Sequence, residues 1–402
     1  MFDNYKKHFL ELSLNVKLFL IGNAIQGIGI SIYGLLLNLY LKELGFGEAI
    51  IGTLISTTSL GVSLMAIPAS FFIERLHAKH LVISGMIMSS VFYFFQILSV
   101  DQHSLFFWGL LGSMFLAVFN ISIAPFYLRN STPHQRVHLF SLNSGMNMMA
   151  HLFGYLSGGY LPKVIHHFEP GLSNIEALRT SIMLALMIMF LSNLIFIRIK
   201  KMPIPVISNG VLEGFKEKEW KIIFKLVLPK LYLAFGGGMV VPFINLYLKE
   251  KFKLSTDMIG VSYATLQLFI FMGIFVAPTV VRKMSHLKFI LTTAILSVPF
   301  MVFMGLAENV YLVLLCFILR GMLMNMSAPI MSMFEMEHVK EKECAFASSV
   351  IMFSYNLMYT TSTRIGGVLI EKSSFGPTFY IAGFSYLLAI VLYYRFFKDE
   401  KN

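Results

Sequence analysis

Twelve apolar stretches dominate this chain, at 17–41, 50–73, 81–100, 105–127, 139–162, 177–198, 227–248, 258–281, 287–307, 311–334, 344–370 and 377–397. Each is long enough to cross a bilayer as a helix, which takes about 20 residues. Only 13% of the residues are charged and the mean hydropathy is +0.72, far from the balance of a water-soluble domain. The expected fold is therefore an all-α integral membrane protein with twelve transmembrane helices. The first stretch stands behind Lys6, Lys7 and Lys17 and has no small-residue cleavage site, so it is expected to be a retained span.

The chain also repeats itself. Asn38-Leu39-Tyr40-Leu41-Lys42-Glu43 returns unchanged as Asn245-Leu246-Tyr247-Leu248-Lys249-Glu250. Gly52 and Gly260 are 208 positions apart, and so are the pairs Gly158-Gly159 and Gly366-Gly367. Asn120 followed by Pro125 is answered by Asn325 followed by Pro329. A period of half the chain is a duplication, not an array of repeats of about 20–50 residues. Two pseudo-symmetric six-helix halves are expected, at 1–198 and 226–402, joined by a linker at 199–225. A duplicated membrane bundle points first to a transporter.

Charge sets the expected orientation. With the N-terminus inside, 23 of the 32 Lys and Arg fall on inner segments, which satisfies the positive-inside rule and puts both termini in the cytoplasm. The net charge of +11 is then explained by short loops beside an anionic leaflet, and no nucleic-acid partner is implied. In the linker, Trp220, Ile223 and Phe224 can share one face of an interfacial helix over 212–224 while Lys216, Glu217, Lys221 and Lys225 face water. Cys316 and Cys344 fall in a span and at an inner helix end, so no extracellular disulfide framework is expected. The expected location is the cell membrane, as a multi-pass monomer in contact with lipid.

Two local patterns carry a family resemblance. Between spans two and three stands Ser70-Phe71-Phe72-Ile73-Glu74-Arg75-Leu76-His77-Ala78-Lys79-His80. On span five Gly145 is followed by Gly154 and then by Gly158-Gly159. With the twelve spans, the duplication and the basic linker, these resemble the major facilitator superfamily over the whole chain. The first pattern is similar to that family's inner-loop motif, with Glu74-Arg75 in place of Asp-Arg, and Ser70 and His77 where glycines are usual. The resemblance implies an inner gate in which Glu74 and Arg75 latch against a helix of the other half; an ordinary positively biased loop is the alternative. The second pattern is similar to the family's exporter-associated motif, but Gly159 stands where proline is usual. Gly145, Gly154, Gly158 and Gly159 are expected to line one helix face and admit a close neighbour. The direction of transport stays open, with export favoured.

Polar residues at membrane depth are costly and therefore candidates for function. No acidic residue falls in the middle of a span. His151, mid-span on the fifth helix, is the proton-coupling candidate because its unperturbed pKa is near neutrality; a neutral histidine in a packed interface is the alternative. Arg320 near mid-depth on span ten costs at least about 2.5–3.5 kcal/mol if unpaired, so it is expected to face a cavity or a partner. It would bind an anionic substrate group, set a neighbour's pKa or satisfy broken-helix carbonyls. Arg364 on span eleven is an outer-gate candidate through Glu250 or Asp257, with snorkelling to the interface as the alternative. Asn120 and Asn325 would satisfy carbonyls freed by the following prolines. Together with Gln26, Asn147, Gln267, Tyr355 and Asn356 they form the expected substrate-cavity lining, suited to an amphipathic or weakly polar ligand.

No phosphate-cradling Gly-x-x-x-x-Gly-Lys-Ser/Thr loop is present, His166-His167 lacks the company of a metal site, and no cofactor is expected. The reading is a secondary transporter rather than an enzyme, with a central cavity alternately open to each side. By resemblance it exports a small amphipathic or drug-like compound in exchange for protons. Uptake or facilitated diffusion of an anionic nutrient is the first alternative, and a non-transporting sensor or scaffold the second.

Overall fold

The computed structural model describes residues 12–75, 77–200, 220–340 and 344–398, and no strand occurs among them. The twelve long helices are α1 (Leu14–Glu43), α2 (Glu48–Arg75), α3 (Ala78–Leu98), α4 (Gln102–Asn130), α5 (Pro133–Phe168) and α6 (Asn174–Leu191, continued by Asn193–Phe196). They continue with α7 (Trp220–Val240, a 3-10 turn at Val241–Phe243, then Ile244–Phe252), α8 (Thr256–Val281), α9 (His286–Leu306), α10 (Val310–Met326 and Ala328–Glu337), α11 (Cys344–Lys372) and α12 (Phe375–Phe397). Ten are long and apolar enough to cross a membrane. The two that fall short in composition are α5 and α11, equivalent helices of the duplication, and both owe it to the polar residues described below.

The chain divides into two compact units, drawn from the described residues of Met1–Leu44, Leu64–Ile207 and Thr256–Ala264, and of Gly45–Ser63, Ser208–Ser255 and Thr265–Asn402. In the first, α1 packs on α5 and α6, while α3 packs on α4 and α6. In the second, α7 packs on α11 and α12, while α9 packs on α10 and α12. Each pairing recurs six helices later, so the duplication seen in the sequence is a duplication of packing.

The repeated hexapeptide has a structural task. Tyr40 on α1 is buried and donates its hydroxyl hydrogen to the carbonyl of Ile97, 57 residues on, at 3.2 Å. Tyr247 on α7 is buried and donates in the same way to the carbonyl of Met304, again 57 residues on. A phenol brings a large apolar ring and one donor, and the last-turn carbonyls of α3 and α9 lack partners along their own helices. The turn that follows each hexapeptide also matches. Gly45 has φ +89°, and Lys253, 208 positions later, adopts φ 54°.

Helix starts are signalled locally. Ser13, Asp101 and Ser173 cap α1, α4 and α6 through side-chain oxygens that accept backbone N–H groups, and Ser173 forms a capping box with Glu176. Helix α7 differs from expectation. It runs back to Trp220, so Trp220–Phe224 are its first turn. Ile223 is buried, and Trp220 and Phe224 are exposed. The remainder of the expected interfacial helix, 212–219, lies outside the described residues.

Candidate functional site

Helix α5 carries a ladder at intervals of four: Asn143, Asn147, His151, Tyr155 and Gly159. Four residues advance a helix by about 400°, so these positions stack along one stripe. Asn143, absent from the sequence expectation, is its hub. The Asn143 Oδ1 accepts from Asn23 Nδ2 at 2.8 Å, from the Tyr127 hydroxyl at 2.7 Å and from Asn147 Nδ2 at 3.2 Å. Three donors from α1, α4 and α5 converge on an oxygen with two lone pairs, so the amide network is fixed in place. The signal was available, because Asn143 stands one turn before Asn147.

One turn beyond Asn147, His151 Nδ1 lies 2.5 Å from Ser31 Oγ, and that hydroxyl also donates to the Gly27 carbonyl at 2.8 Å. A serine hydroxyl has one hydrogen. With that hydrogen on Gly27, the histidine donates from Nδ1, a tautomer assigned from the hydrogen-bond network. The ring of Tyr155 stacks on His151 at 6.4 Å and meets Tyr263 at 5.3 Å. Among the described residues no carboxylate forms an ion pair with His151.

The glycines of α5 divide. A Cβ at Gly154 would meet the Ile28 carbonyl oxygen at 2.7 Å, and one at Gly158 would meet the Ile32 Cα at 3.2 Å, so both lie hard against α1. At Gly145 nothing lies within 4 Å, which corrects the expectation that it shares their packing face. Gly154 follows Gly145 by nine positions, and nine steps of about 100° end half a turn away. Gly159 packs on the first turn of α8, where its Cβ would meet Gly260 Cα at 2.9 Å. In the second unit Gly52 would meet Gly367 Cα at 3.3 Å, so the duplicated glycines pair with one another. Lys163 Nζ and Asp257 Oδ2, 3.7 Å apart, flank the first of these contacts. Glu371 Oε2, which accepts from the Ala49 N–H at 2.7 Å at the start of α2, flanks the second.

Helix α11 bears the counterpart ladder, Tyr355, Tyr359, Thr363 and Gly367, in which Tyr355 and Tyr359 answer Asn147 and His151 at the same 208-residue offset. Their rings stack at 6.0 Å. Arg320 on α10 is buried, 5% exposed, and one terminal guanidinium nitrogen donates to the Tyr386 hydroxyl at 2.8 Å. Asn356 donates to the carbonyl of Met352 on its own helix.

Other expected positions fall as follows. Gln26 is buried in α1, Gln267 is half-buried on α8, and Asn120 is exposed on α4. Asn325 is exposed and donates to the Gly321 carbonyl at 2.8 Å, not to a carbonyl freed by Pro329. The carbonyl that Pro329 frees is that of Asn325 itself, and the Ser327 N–H takes it where α10 breaks. Helix α4 runs unbroken through Pro125, so the two prolines are not equivalent in effect. Arg364 is exposed, and Asp257, one of the two partners expected for it, lies 3.7 Å from Lys163. Glu74 and Arg75 form the last turn of α2, and their side chains lie outside the described residues.

Sequence reasoning also missed the burial of Glu335. It is 4% exposed near the end of α10, and its Oε1 lies 2.5 Å from Lys230 Nζ on α7. Nothing in the local sequence distinguishes it from Glu337, which reaches His286 Nδ1 at 3.0 Å in a more exposed setting. Among the described residues no group of three or more His, Cys, Asp or Glu is arranged to hold a metal ion.

Comparison with known proteins fits this architecture. No curated protein sequence matches the chain. Among solved structures, a bacterial homologue of the human lysosomal transporter Spinster, inward-facing and occupied, is similar with a TM-score of 0.77 at 12% identity, covering 94% of this chain and 95% of that one. A mutant of the nucleoside transporter NupG gives a TM-score of 0.78 at 12% identity, covering 95% and 100%. A D-xylose-proton symporter gives 0.73 at 13% identity, covering 95% and 97%. At such identities the likeness is one of fold alone. The sequence itself matches the Major Facilitator Superfamily over residues 19–362 and again over 231–402, and the chain belongs to that family of transporters.

Proposed function

We propose that the protein is a proton-coupled secondary transporter that exports a small amphipathic compound by alternating access. The observation that carries this reading is the His151 site. An imidazole sits in the middle of a membrane helix with its Nδ1 against Ser31 and, among the described residues, no carboxylate in an ion pair with it. Such a group can bind and release a proton. Glu335 is a poorer carrier, because Lys230 already neutralises it. The amide and phenol ladders on α5 and α11 supply weakly polar contacts for a solute. In this reading Glu74 and Arg75 latch the inner face, as the family resemblance implies. The protein acts as a monomer in the cytoplasmic membrane, with both termini inside.

The test uses inverted membrane vesicles energised with an acid interior. His151→Ala should abolish proton-linked flux while the inserted amount stays that of the wild type. Full flux in that variant would remove the histidine from the mechanism. Uptake or facilitated diffusion of an anionic solute is the second reading, favoured by the buried charge of Arg320. A sensor or scaffold would support no flux in either direction.

A further inference from the structure

We propose that Glu371 is a positioning residue for the alternating step: its carboxylate, at the end of α11, serves as the N-cap of α2 and latches the two helices together. The proposal rests on the transporter reading and deepens it by naming a contact that must break when these helices part.

Helix α2 starts without a cap of its own. The Gly47 carbonyl accepts the first helical bond, from the Ile51 N–H at 3.0 Å, so Gly47 is the N-cap position and has no side chain to offer. The second residue of the helix is Ala49, whose N–H an N-cap side chain ordinarily satisfies. Here Glu371 Oε2 accepts it at 2.7 Å, from 322 residues along the chain. A charged acceptor at a helix N-terminus gains from the helix dipole as well as from the hydrogen bond. The glycine is a condition of this contact. A Cβ on Gly47 would lie 2.7 Å from Glu371 Oε2 and 3.0 Å from Oε1, so a residue able to cap α2 by itself would displace the carboxylate. By chain order α2 belongs to the first repeat, yet its first turns lie with α11 in the second unit, so Glu371 ties one repeat to the other.

The other copy of the duplication makes the same connection by different chemistry. At the 208-residue offset, Ser255 answers Gly47, Asp257 answers Ala49 and Lys163 answers Glu371. All three positions differ, and they differ together. Ser255 is the N-cap of α8, Asp257 lies in its first turn, and Lys163 Nζ reaches Asp257 Oδ2 at 3.7 Å. Two equivalent places are thus joined by a lysine and an aspartate in one unit, and by a carboxylate and a bare helix end in the other. In each unit the contact falls four residues after the glycine, Gly159 or Gly367, at which the two backbones meet. A junction kept at one place while its residues are all exchanged points to a task for the junction itself. The two versions differ in strength. The Lys163 side chain is 73% exposed, so its pair is screened by water, whereas Glu371 makes a short, charged hydrogen bond.

The test measures the distance between spin labels on cysteines introduced at Ile50 and Ser373, by double electron–electron resonance. It uses the full-length protein in lipid nanodiscs, with Cys316 and Cys344 replaced by alanine. A dominant short distance is expected while Glu371 is in place. Glu371→Lys should raise the ratio of long to short distances on the order of 2- to 30-fold, the range that losing an N-cap is worth. Ala49→Asp combined with Glu371→Lys installs the pair of the other copy and should bring the short distance back. Gly47→Ser combined with Glu371→Ala gives α2 a cap of its own. It should recover the unfolding temperature lost in Glu371→Ala but not the short distance. Glu371→Gln and Glu371→Ala carry the test if Glu371→Lys does not fold. A long distance in the unmutated latch or an unchanged distribution in the folded Glu371 variants would overturn the proposal. So would recovery of the short distance by Gly47→Ser, which would leave Glu371 a helix cap only. Flux measured on the same proteins separates this from the transporter reading. A latch that opens in Glu371→Lys, in a protein that moves no solute, would sink transport and leave the latch. Solute flux with an unchanged distance distribution would sink the latch and leave transport.

Discussion

At the residue scale, the two copies of the hexapeptide make paired predictions. Tyr40 and Tyr247 each join a first helix to the last turn of a third through one hydrogen bond. Replacing either by Phe keeps the ring and removes the donor, and should cost about 0.5–1.5 kcal/mol. Thermal unfolding of Y40F and Y247F in detergent should fall below wild type by similar amounts. A large loss in one and none in the other would mean that the two halves do not use the motif alike. Lys253 offers a test of opposite sign. Its left-handed φ of 54° matches a glycine in the other half, and a Cβ in that region costs on the order of 1 kcal/mol. Lys253→Gly should therefore raise the unfolding temperature, and a decrease would show that the lysine side chain outweighs the strain.

At the scale of the element, α5 and α11 carry both the polar ladders and the tightest glycine contacts. Gly159→Ala would push into Gly260 Cα at 2.9 Å and the Thr256 carbonyl at 3.0 Å, and Gly367→Ala would overlap the Glu48 carbonyl. Backbone atoms cannot swing aside, so each should destabilise by about 1–3 kcal/mol and lower transport. Gly145→Ala, with open space around it, should instead be neutral or stabilising by about 0.5–1 kcal/mol, since alanine is the better helix former. Unfolding temperatures of the three variants check the contrast, and equal effects would contradict it. Much of this was legible. The duplicated glycines and the hexapeptide could be read as repeats, and His151 and Arg320 as costly residues at depth. What the letters alone did not give was rotation and partnership. Gly145 fits the spacing of a motif yet points half a turn away. Asn143 looked like any polar residue until three donors met on its oxygen. Glu335 and Glu337, two positions apart, differ because one faces Lys230 across a packed interface and the other faces His286 near the surface.

At the scale of the whole molecule, each unit packs its helices in the same order, and that recurrence is what the half-chain repeat encodes. The prolines mark where the copies have diverged: α4 is continuous through Pro125, while α10 breaks before Pro329. The site chemistry has diverged as well, with amides and His151 on α5 against phenols and Arg320 around α11. The direct test is proton movement in inverted vesicles that carry an acid interior and a pH-sensitive dye. Dyes, antibiotics and organic anions would be added one at a time. Release of protons on adding a compound, absent from vesicles without the protein, is the result predicted for proton-coupled export. Silence across the panel, with insertion verified, would contradict it.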